Sequence, residues 1–464
     1  MERRRTMNIN ELYALYLQHP EVCTDTRQIR DGVLFFALKG ERFDGNAFAA
    51  EALAKGAAYA VVDDSRYATD ARCLLVDSVL QTLQELAHHH RMQWKIPVVG
   101  ITGTNGKTTT KELVSAVLSR KYKVSATVGN LNNHIGVPLT LLSVMPDTEI
   151  AVVEMGANHP GEIADLCAIA EPDFGLITNV GVAHLEGFGT LEEILRTKTA
   201  LYEAVAARGG VLFVSADDSV LKNKAEALAT IPDIPSLTPW YLDHGFGPDW
   251  QASQGLSVYT YGQSEEAQCF GRPDESALYL RFTWTEEGRE WPVQTQLVGG
   301  YNFSNALAAC AVGRFFGVPS VDCTAALEQY RPTNSRSQII DKQGIHIVLD
   351  AYNANPSSME QALRNFARIP SERKMLVLGD MLELGAGSLH AHQQVVRLIQ
   401  TLGFTEVCLF GSEFARTDAP AAWKFESMEL LQQALTARLA QQSPEYMLVK
   451  GSRGRRMERV LEVL

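Results

Sequence analysis

The stretch Val98-Val-Gly-Ile-Thr-Gly-Thr-Asn-Gly-Lys-Thr-Thr-Thr110 constrains this chain more than any other. The apolar run Ile96 to Ile101 predicts a buried strand. The Gly/Thr/Asn residues predict a loop, and Lys107 to about Arg120 an amphipathic helix. Gly103 and Gly106 let the backbone curl so that successive N–H groups face one anion, and the helix that follows points its positive end at it. In such a cradle Lys107 reaches terminal phosphates and Thr108 offers a hydroxyl to Mg²⁺, with Thr104, Asn105 and Thr109 completing the loop. The usual pattern carries a glycine five residues before Gly106. Ile101 stands there, so the string is a variant, Gly-x-x-Gly-Lys-Thr-Thr. The competing reading is a strand–helix turn with a chance Gly-Lys-Thr. It is weakened because strand, loop and helix all fall where the motif needs them.

At 464 residues the chain has room for about three domains of ~150 residues. Its 46% hydrophobic and 21% charged residues are those of a water-soluble globular protein. A net charge of −12 argues against nucleic acid as a partner, so a nucleotide site must supply its own local positive charge. The seven cysteines are scattered, with no Cys-x-x-Cys pair, which speaks against a disulfide frame or a zinc knuckle and for buried thiols in a reducing compartment. No apolar run is long enough to span a bilayer. The basic opening Met1-Glu-Arg-Arg-Arg5 is not followed by a signal-peptide core, and Met7 offers an alternative start. The expectation is a cytoplasmic protein with no membrane insertion.

The predicted fold class is α/β in three domains, with boundaries at 1–94, 95–332 and 333–464. In the first, Gly32–Leu38 and Ala58–Val62 read as strands, and Asn46–Lys55 and Val79–Met92 as helices. The central region repeats strand and helix as a doubly wound sheet does. Its predicted strands are Glu149–Met155, Phe174–Val180 and Val211–Ser215. Its predicted helices are Pro160–Ala170, with the proline early, and Leu191–Ala206. After about residue 240, Ser257–Tyr261, Leu278–Trp284 and Trp291–Leu297 alternate like an added antiparallel segment, ahead of a helix from Asn302 to Phe316. The last region reads as a second, Rossmann-like α/β sheet with strands Ile345–Asp350, Lys374–Gly379, Glu406–Phe410 and Tyr446–Lys450.

Ligands of open α/β sheets bind beyond the carboxyl ends of the strands. Glu154 sits at one such end, and Asn179 at another, followed by His184. Beside a phosphate loop both Glu154 and His184 are candidate Mg²⁺ ligands, although Mg²⁺ prefers oxygen and His184 also reads as a loop histidine with a structural hydrogen bond. Lys198 lies mid-helix, where a lysine is ordinarily solvated. Asp350 ends a strand ahead of Ala-Tyr-Asn353-Ala-Asn-Pro-Ser357, a turn that either faces a ligand or uses Asn353 or Ser357 as a helix cap. Arg336 puts a fixed cation near the second boundary, in the planar form that suits phosphate. The Lys39-to-Gly45 loop suits a polar ligand and equally suits a plain connecting turn. His88-His-His90 points three ways on a helix end and reads as a packed terminus.

Together these marks resemble the Mur ligases, the ATP-dependent amide-forming enzymes of peptidoglycan precursor synthesis. The shared strings are Gly103-Thr-Asn-Gly-Lys-Thr-Thr109, Glu154-Met-Gly156, Asn179-Val-Gly-Val-Ala-His184-Leu, Tyr301-Asn302-x-x-Asn305-Ala, and Arg336 followed by Asp350. The strings Gly129–Pro138, Asp350–Met359, Leu378–Gly385 and Lys450-Gly-Ser-Arg453 resemble the branch that adds D-alanyl-D-alanine. The Asp-Asn-Pro-Arg string of the diaminopimelate- or lysine-adding branch is absent.

The resemblance implies ATP and two Mg²⁺ ions as cofactors, and UDP-N-acetylmuramoyl-tripeptide and D-alanyl-D-alanine as substrates of a monomer. It implies a UDP site at Thr26, Arg27 and the loop carrying Lys39, Phe43, Asp44 and Gly45. It places Asn302 and Asn305 on the adenine side, Asp350 at the ribose and Arg336 at the terminal phosphate. Thr108, Glu154 and His184 fall in the Mg²⁺ shell, together with Lys198 as a carbamate. Asn133 and Asn353 fall on the substrate side, and Lys450, Ser452 and Arg453 on the dipeptide side; those three also read as a helix-start turn with a solvated basic face. The implied chemistry is carboxylate activation as an acyl phosphate, then attack by an amine, with positioning and charge neutralisation as the catalyst's task. The rival readings are another ATP-dependent carboxylate–amine ligase and an NTP-driven switch.

Overall fold

The computed structural model describes residues 7–41, 43–181, 185–229, 256–274, 279–333 and 336–464. The N-terminal body is a four-stranded parallel sheet in the order Val22–Cys23, Leu34–Phe36, Tyr59–Val62, Cys73–Leu75. Both expected strands are present, and two short strands flank them that carry too few residues to show a periodicity. Lys39–Gly40 and Phe43–Asp44 form a small antiparallel hairpin.

The Val79–Arg91 helix joins this body to the next. Its apolar residues share one core with the central sheet, from Leu83 and Leu86 to Leu141, Ile163 and Leu166. At its end Arg91 is 4% exposed and donates to Asp173 Oδ2 at 2.9 Å and to the carbonyls of Ala170 and Glu171. Asp173 also accepts from the Val98 amide at 3.0 Å, so the pair is fully hydrogen-bonded, as a buried ion pair has to be. The Tyr16 hydroxyl donates to the Leu142 carbonyl at 2.7 Å across the same seam. The three adjacent histidines do diverge. His88 faces Glu171, His89 lies against Tyr13, and His90 packs among Tyr13, Tyr16 and Trp94, where burial pulls its pKa down to about 4.

Among the described residues the central sheet has nine strands. In spatial order they are Arg289–Val298, Tyr279–Glu286, Cys269–Asp274, Ser257–Gly262, Val211–Ser215, Phe174–Ile177, Val98–Thr102, Ile150–Glu154 and Val124–Ala126. The strands from Cys269–Asp274 onward in this order run parallel, and the two before it pair antiparallel. This corrects the expectation for Ser257–Gly262, which extends the parallel sheet instead of opening an antiparallel segment. It pairs in parallel with Val211–Ser215, and the antiparallel pair joins instead the Cys269–Asp274 strand, whose Gly, Arg and Pro hide its alternation. The helix predicted from Pro160 begins at Glu162, because Gly161 at φ 86 serves as its N-cap and leaves Pro160 in the preceding turn. Phe174, Phe213, Tyr259, Phe315 and Phe316 pack ring against ring between the sheet and the Phe303–Phe315 helix.

The C-terminal sheet runs Gln338–Lys342, Ile345–Asp350, Tyr446–Lys450, Lys374–Gly379, Glu406–Phe410, Lys424–Phe425, parallel except for the first pair. All four predicted strands are there. All seven cysteines are free thiols, six of them buried.

Candidate active site

The phosphate-loop strand delivers Thr102 to the carboxyl edge of the central sheet, and the chain then turns through Gly103 at φ 145. A Cβ there would lie 1.9 Å from Thr178 Oγ1, so no other residue fits. Gly106, at φ 79, caps the Lys107–Leu118 helix, and a Cβ on it would lie 2.7 Å from Asn305 Oδ1. The loop is held from beneath. The Asn105 amide donates to Asn179 Oδ1 at 3.0 Å, and its carbonyl accepts from Thr178 Oγ1 at 2.6 Å and Asn179 Nδ2 at 3.0 Å. The Lys107 ammonium donates to the carbonyls of Gly103 and Thr104, which keeps it over its own loop. Burial lowers its pKa; Glu154 opposes that, and the Arg336 charge adds to it. That last influence places Arg336 within electrostatic reach of the loop.

Glu154, 1% exposed, ends the adjacent strand. Its Oε1 accepts from Thr108 Oγ1 at 3.0 Å and Asn132 Nδ2 at 2.7 Å, and its own amide donates to Thr127 Oγ1. Its Oε2 is buried with no hydrogen-bond partner among the described residues. A buried carboxylate oxygen left so is costly unless a cation or water completes it. Thr108 and Glu154 thus offer two hard oxygen donors beside a phosphate cradle, and that donor set fits Mg²⁺.

Lys198 departs from the expectation of a solvated helix lysine. It is 3% exposed, inside the Leu191–Ala207 helix, with Nζ 5.9 Å from the Phe188 ring centre. Burial, and then the charge of Lys107, hold its pKa well below the ordinary lysine range, since both disfavour the ammonium. His184 lies outside the described residues.

Asn302 and Asn305 form a buried chain. Asn302 Nδ2 donates to the Val298 carbonyl, Asn305 Nδ2 to Asn302 Oδ1 at 3.0 Å, and Thr110 Oγ1 to Asn305 Oδ1 at 3.1 Å. They therefore tie the phosphate-loop helix to the Phe303–Phe315 helix. Arg336 stacks on Tyr352, its guanidinium carbon 3.7 Å from the ring centre, and its buried Nε has no partner among the described residues. Asp350 Oδ2 accepts from Lys450 Nζ at 2.5 Å, and Lys450 is 1% exposed.

A cleft of about 970 Å³ between the central and C-terminal sheets collects most of the candidates. Its lining includes Thr104 to Thr109, Asn133, Glu154, Asn302, Asn305, Arg336, Asp350, Asn353, Lys450 and Arg453. Ser452 does not line it; it is 3% exposed, accepts from the Leu382 amide and donates to the Ala354 carbonyl. Thr26, Arg27, Lys39, Phe43, Asp44 and Gly45 lie apart on the N-terminal body. There Arg27 pairs with Asp25, Lys39 with Asp63 at 2.7 Å, and Phe43 is 59% exposed.

The helix cap was among the alternatives for the Asp350–Ser357 turn, but Asn355 supplies it, through a capping box with Ser358, and not Asn353 or Ser357. Asn353 is exposed and its side chain accepts from the next amide. Sequence reasoning also passed over Asn132 and Thr127 as partners of Glu154. It missed Ser215 too, which reaches the cleft from the carboxyl end of its own strand and was open to the same rule that found Glu154.

Comparison with known proteins bears on this geometry along the whole chain. Residues 21–91 match the Mur ligase family catalytic domain, 101–232 the Mur ligase middle domain, and 335–453 the Mur ligase glutamate ligase domain. The UDP-N-acetylmuramoyl-tripeptide--D-alanyl-D-alanine ligase of Bacillus subtilis is 34% identical, over 100% of this chain and 99% of that protein. The chain belongs to the Mur ligase family. The ligase also superposes on solved structures of the MurF type. That of Acinetobacter baumannii is 29% identical with a TM-score of 0.80, covering 95% of this chain and 92% of that one. MurF of Thermotoga maritima, solved in complex with ADP, is 28% identical with a TM-score of 0.78, covering 96% and 97%. This Mur ligase is an ATP-dependent, amide-forming enzyme of the MurF type, with the three-domain α/β architecture of the family.

Proposed function

We propose that this ligase joins D-alanyl-D-alanine to UDP-N-acetylmuramoyl-tripeptide, making the pentapeptide precursor of peptidoglycan. The full-length likeness to relatives bearing that name supports the substrates. The observation that carries the ATP half is the Lys107–Thr108–Glu154 constellation on one wall of the cleft, with Arg336 and Asp350 on the other. The tripeptide's free carboxylate attacks the γ-phosphate, giving an acyl phosphate and ADP. The amine of the dipeptide then attacks the acyl carbon, an amide forms, and phosphate leaves with the carbonyl–phosphate bond broken.

Lys107, the loop amides and Arg336 hold the triphosphate and offset its charge as it is transferred. Asp350, fixed by Lys450, takes the ribose, while Asn302 and Asn305 set the adenine-side wall. Thr108 and Glu154 would hold one Mg²⁺; bound there, the ion neutralises phosphate charge and polarises phosphoryl oxygen. His184 and Lys198 would hold a second. Lys198 would do so as a carbamate, which forms when its neutral amine adds carbon dioxide and releases a proton; the burial of Lys198 favours that neutral form. In the same reading the domains divide at 94/95 and 332/333, the N-terminal body takes the UDP end through Thr26, Arg27 and the Lys39–Gly45 hairpin, and Asn133 and Asn353 meet the acid substrate. The enzyme works as a cytoplasmic monomer whose C-terminal domain closes over ATP.

The test is ADP release with the UDP-tripeptide present, with and without D-alanyl-D-alanine. Strict dependence on the dipeptide is expected. Turnover without an acceptor would favour an ATP-driven switch, and turnover with glutamate in its place another ligase. Arg453 lines the cleft with its side chain mostly exposed, paired at 3.2 Å with Glu458. Arg453→Ala should raise the dipeptide KM about tenfold, as loss of one charge-assisted contact does, with kcat little changed. An unchanged KM would remove Arg453 from the dipeptide site.

A further inference from the structure

Asn105 sits between Thr104 and Gly106, in the middle of the phosphate loop. Its backbone N–H and C=O are both consumed by Thr178 and Asn179 of its own domain. Its side chain turns the other way, into the C-terminal domain. Asn105 Nδ2 donates to Ser357 Oγ at 2.9 Å, Ser357 Oγ donates to Asn355 Oδ1 at 3.0 Å, and Asn355 Nδ2 donates back to Asn105 Oδ1 at 2.8 Å. The three residues close a ring of hydrogen bonds across the domain boundary.

The direction of every bond in that ring follows from one backbone group. The Ser358 amide donates to Asn355 Oδ1 at 2.9 Å as the cap of the Pro356–Ala367 helix, which fixes that atom as oxygen. Asn355 Nδ2 must then be the donor toward Asn105, so Asn105 presents its oxygen there and its nitrogen to Ser357. A helix cap in one domain thereby sets the side chain of a loop residue in another. Asn355 is 6% exposed, so little water competes for these bonds.

We propose that Asn355 is a positioning residue for ATP, coupling the shape of the phosphate loop to docking of the C-terminal domain. The inference rests on the ATP-site reading above. The Thr104 amide is taken by the Asn179 carbonyl, so the amides left for the phosphates follow Asn105, from Gly106 at the helix start, and withdrawal of the Asn355–Ser357 corner removes a restraint on the residue just before them. Docking of the C-terminal domain therefore does more than add Arg336 and Asp350 to the cleft. It completes the cradle itself.

Asn355→Asp separates this role from the cap. Aspartate caps as well as asparagine, but it has no donor for Asn105 and sets a carboxylate against that residue's oxygen. The expected result is a thermal midpoint close to wild type, a roughly tenfold fall in kcat, an unchanged KM for the dipeptide, and a larger radius of gyration in solution scattering with ADP and Mg²⁺ present. Ser357→Ala, which removes one bond without adding charge, should show a smaller change in the same direction. Wild-type kcat and scattering in Asn355→Asp would overturn the proposal. So would a loss of activity confined to Asn355→Ala, which also forfeits the cap, since the cap alone would then be at issue. If wild-type protein bound no ADP in calorimetry, the underlying ATP-site reading would fail instead, and the two failures are thereby distinguished.

Discussion

Glu154→Ala is expected to lower turnover by about 10²–10³-fold, the scale of losing one preorganised charge contact in a transition state (~3–4 kcal/mol). Glu154 accepts from the Thr108 hydroxyl on one oxygen and has no hydrogen-bond partner among the described residues on the other. Thr108 and Asn132 hold its carboxylate and Thr127 its backbone amide, so its orientation is set before any ligand arrives. A carboxylate kept dry and half-satisfied is destabilising. The alanine variant should accordingly melt at or above the wild-type temperature while losing activity, a pairing seen where a strained group is kept for function. Lys107→Ala should be as severe, since no other lysine lies on the loop. Steady-state ADP release with calorimetric melting checks both variants. Retention of most activity in either removes it from the phosphate and metal site.

Lys198→Ala is expected to lose a comparable share of activity and to regain part of it in short carboxylic acids. A small carboxylate can enter the space left by the side chain and present the two oxygens a carbamate would. The unmodified amine offers no such chemistry. Burial, and after it the neighbouring Lys107, disfavour its charged form. The measurement is kcat across an acetate or formate titration, at constant ionic strength and with folding verified. Loss without rescue in a folded variant would count against the carbamate, and full activity would remove Lys198 from the site.

The phosphate loop and the strands on either side of it were legible because their signals are local. A buried strand reads as an apolar run, a cradle as glycines at fixed spacing, and a strand's carboxyl end marks Glu154 and Asp350 without any tertiary knowledge. What could not be read depends on pairing across distance. The Cys269–Asp274 strand owes its place to its neighbours, and Ser257–Gly262 joins the parallel sheet through its pairing with the distant Val211–Ser215 strand. Lys198 looked solvated because nothing around it in sequence reports that the fold buries it near Phe188. Asn355 looked like one amide among several, since its partner Asn105 lies 250 positions away. Ser452 read as a ligand-facing polar group, but the fold commits its hydroxyl to two backbone bonds, while Lys450 does line the cleft and is tied there to Asp350.

The apolar core beneath the Val79–Arg91 helix is continuous from the first body into the second, and the Arg91–Asp173 pair ties its end. On the proposed reading the closing movement is made by the third body. On the proposed reading, the grip on the uridine end and the grip on the nucleotide phosphates therefore keep a constant span through every turnover. An inhibitor built as a uracil-like head, a stiff spacer and a phosphate-like tail would meet both anchors at one fixed separation, and hinge motion would take nothing from its avidity.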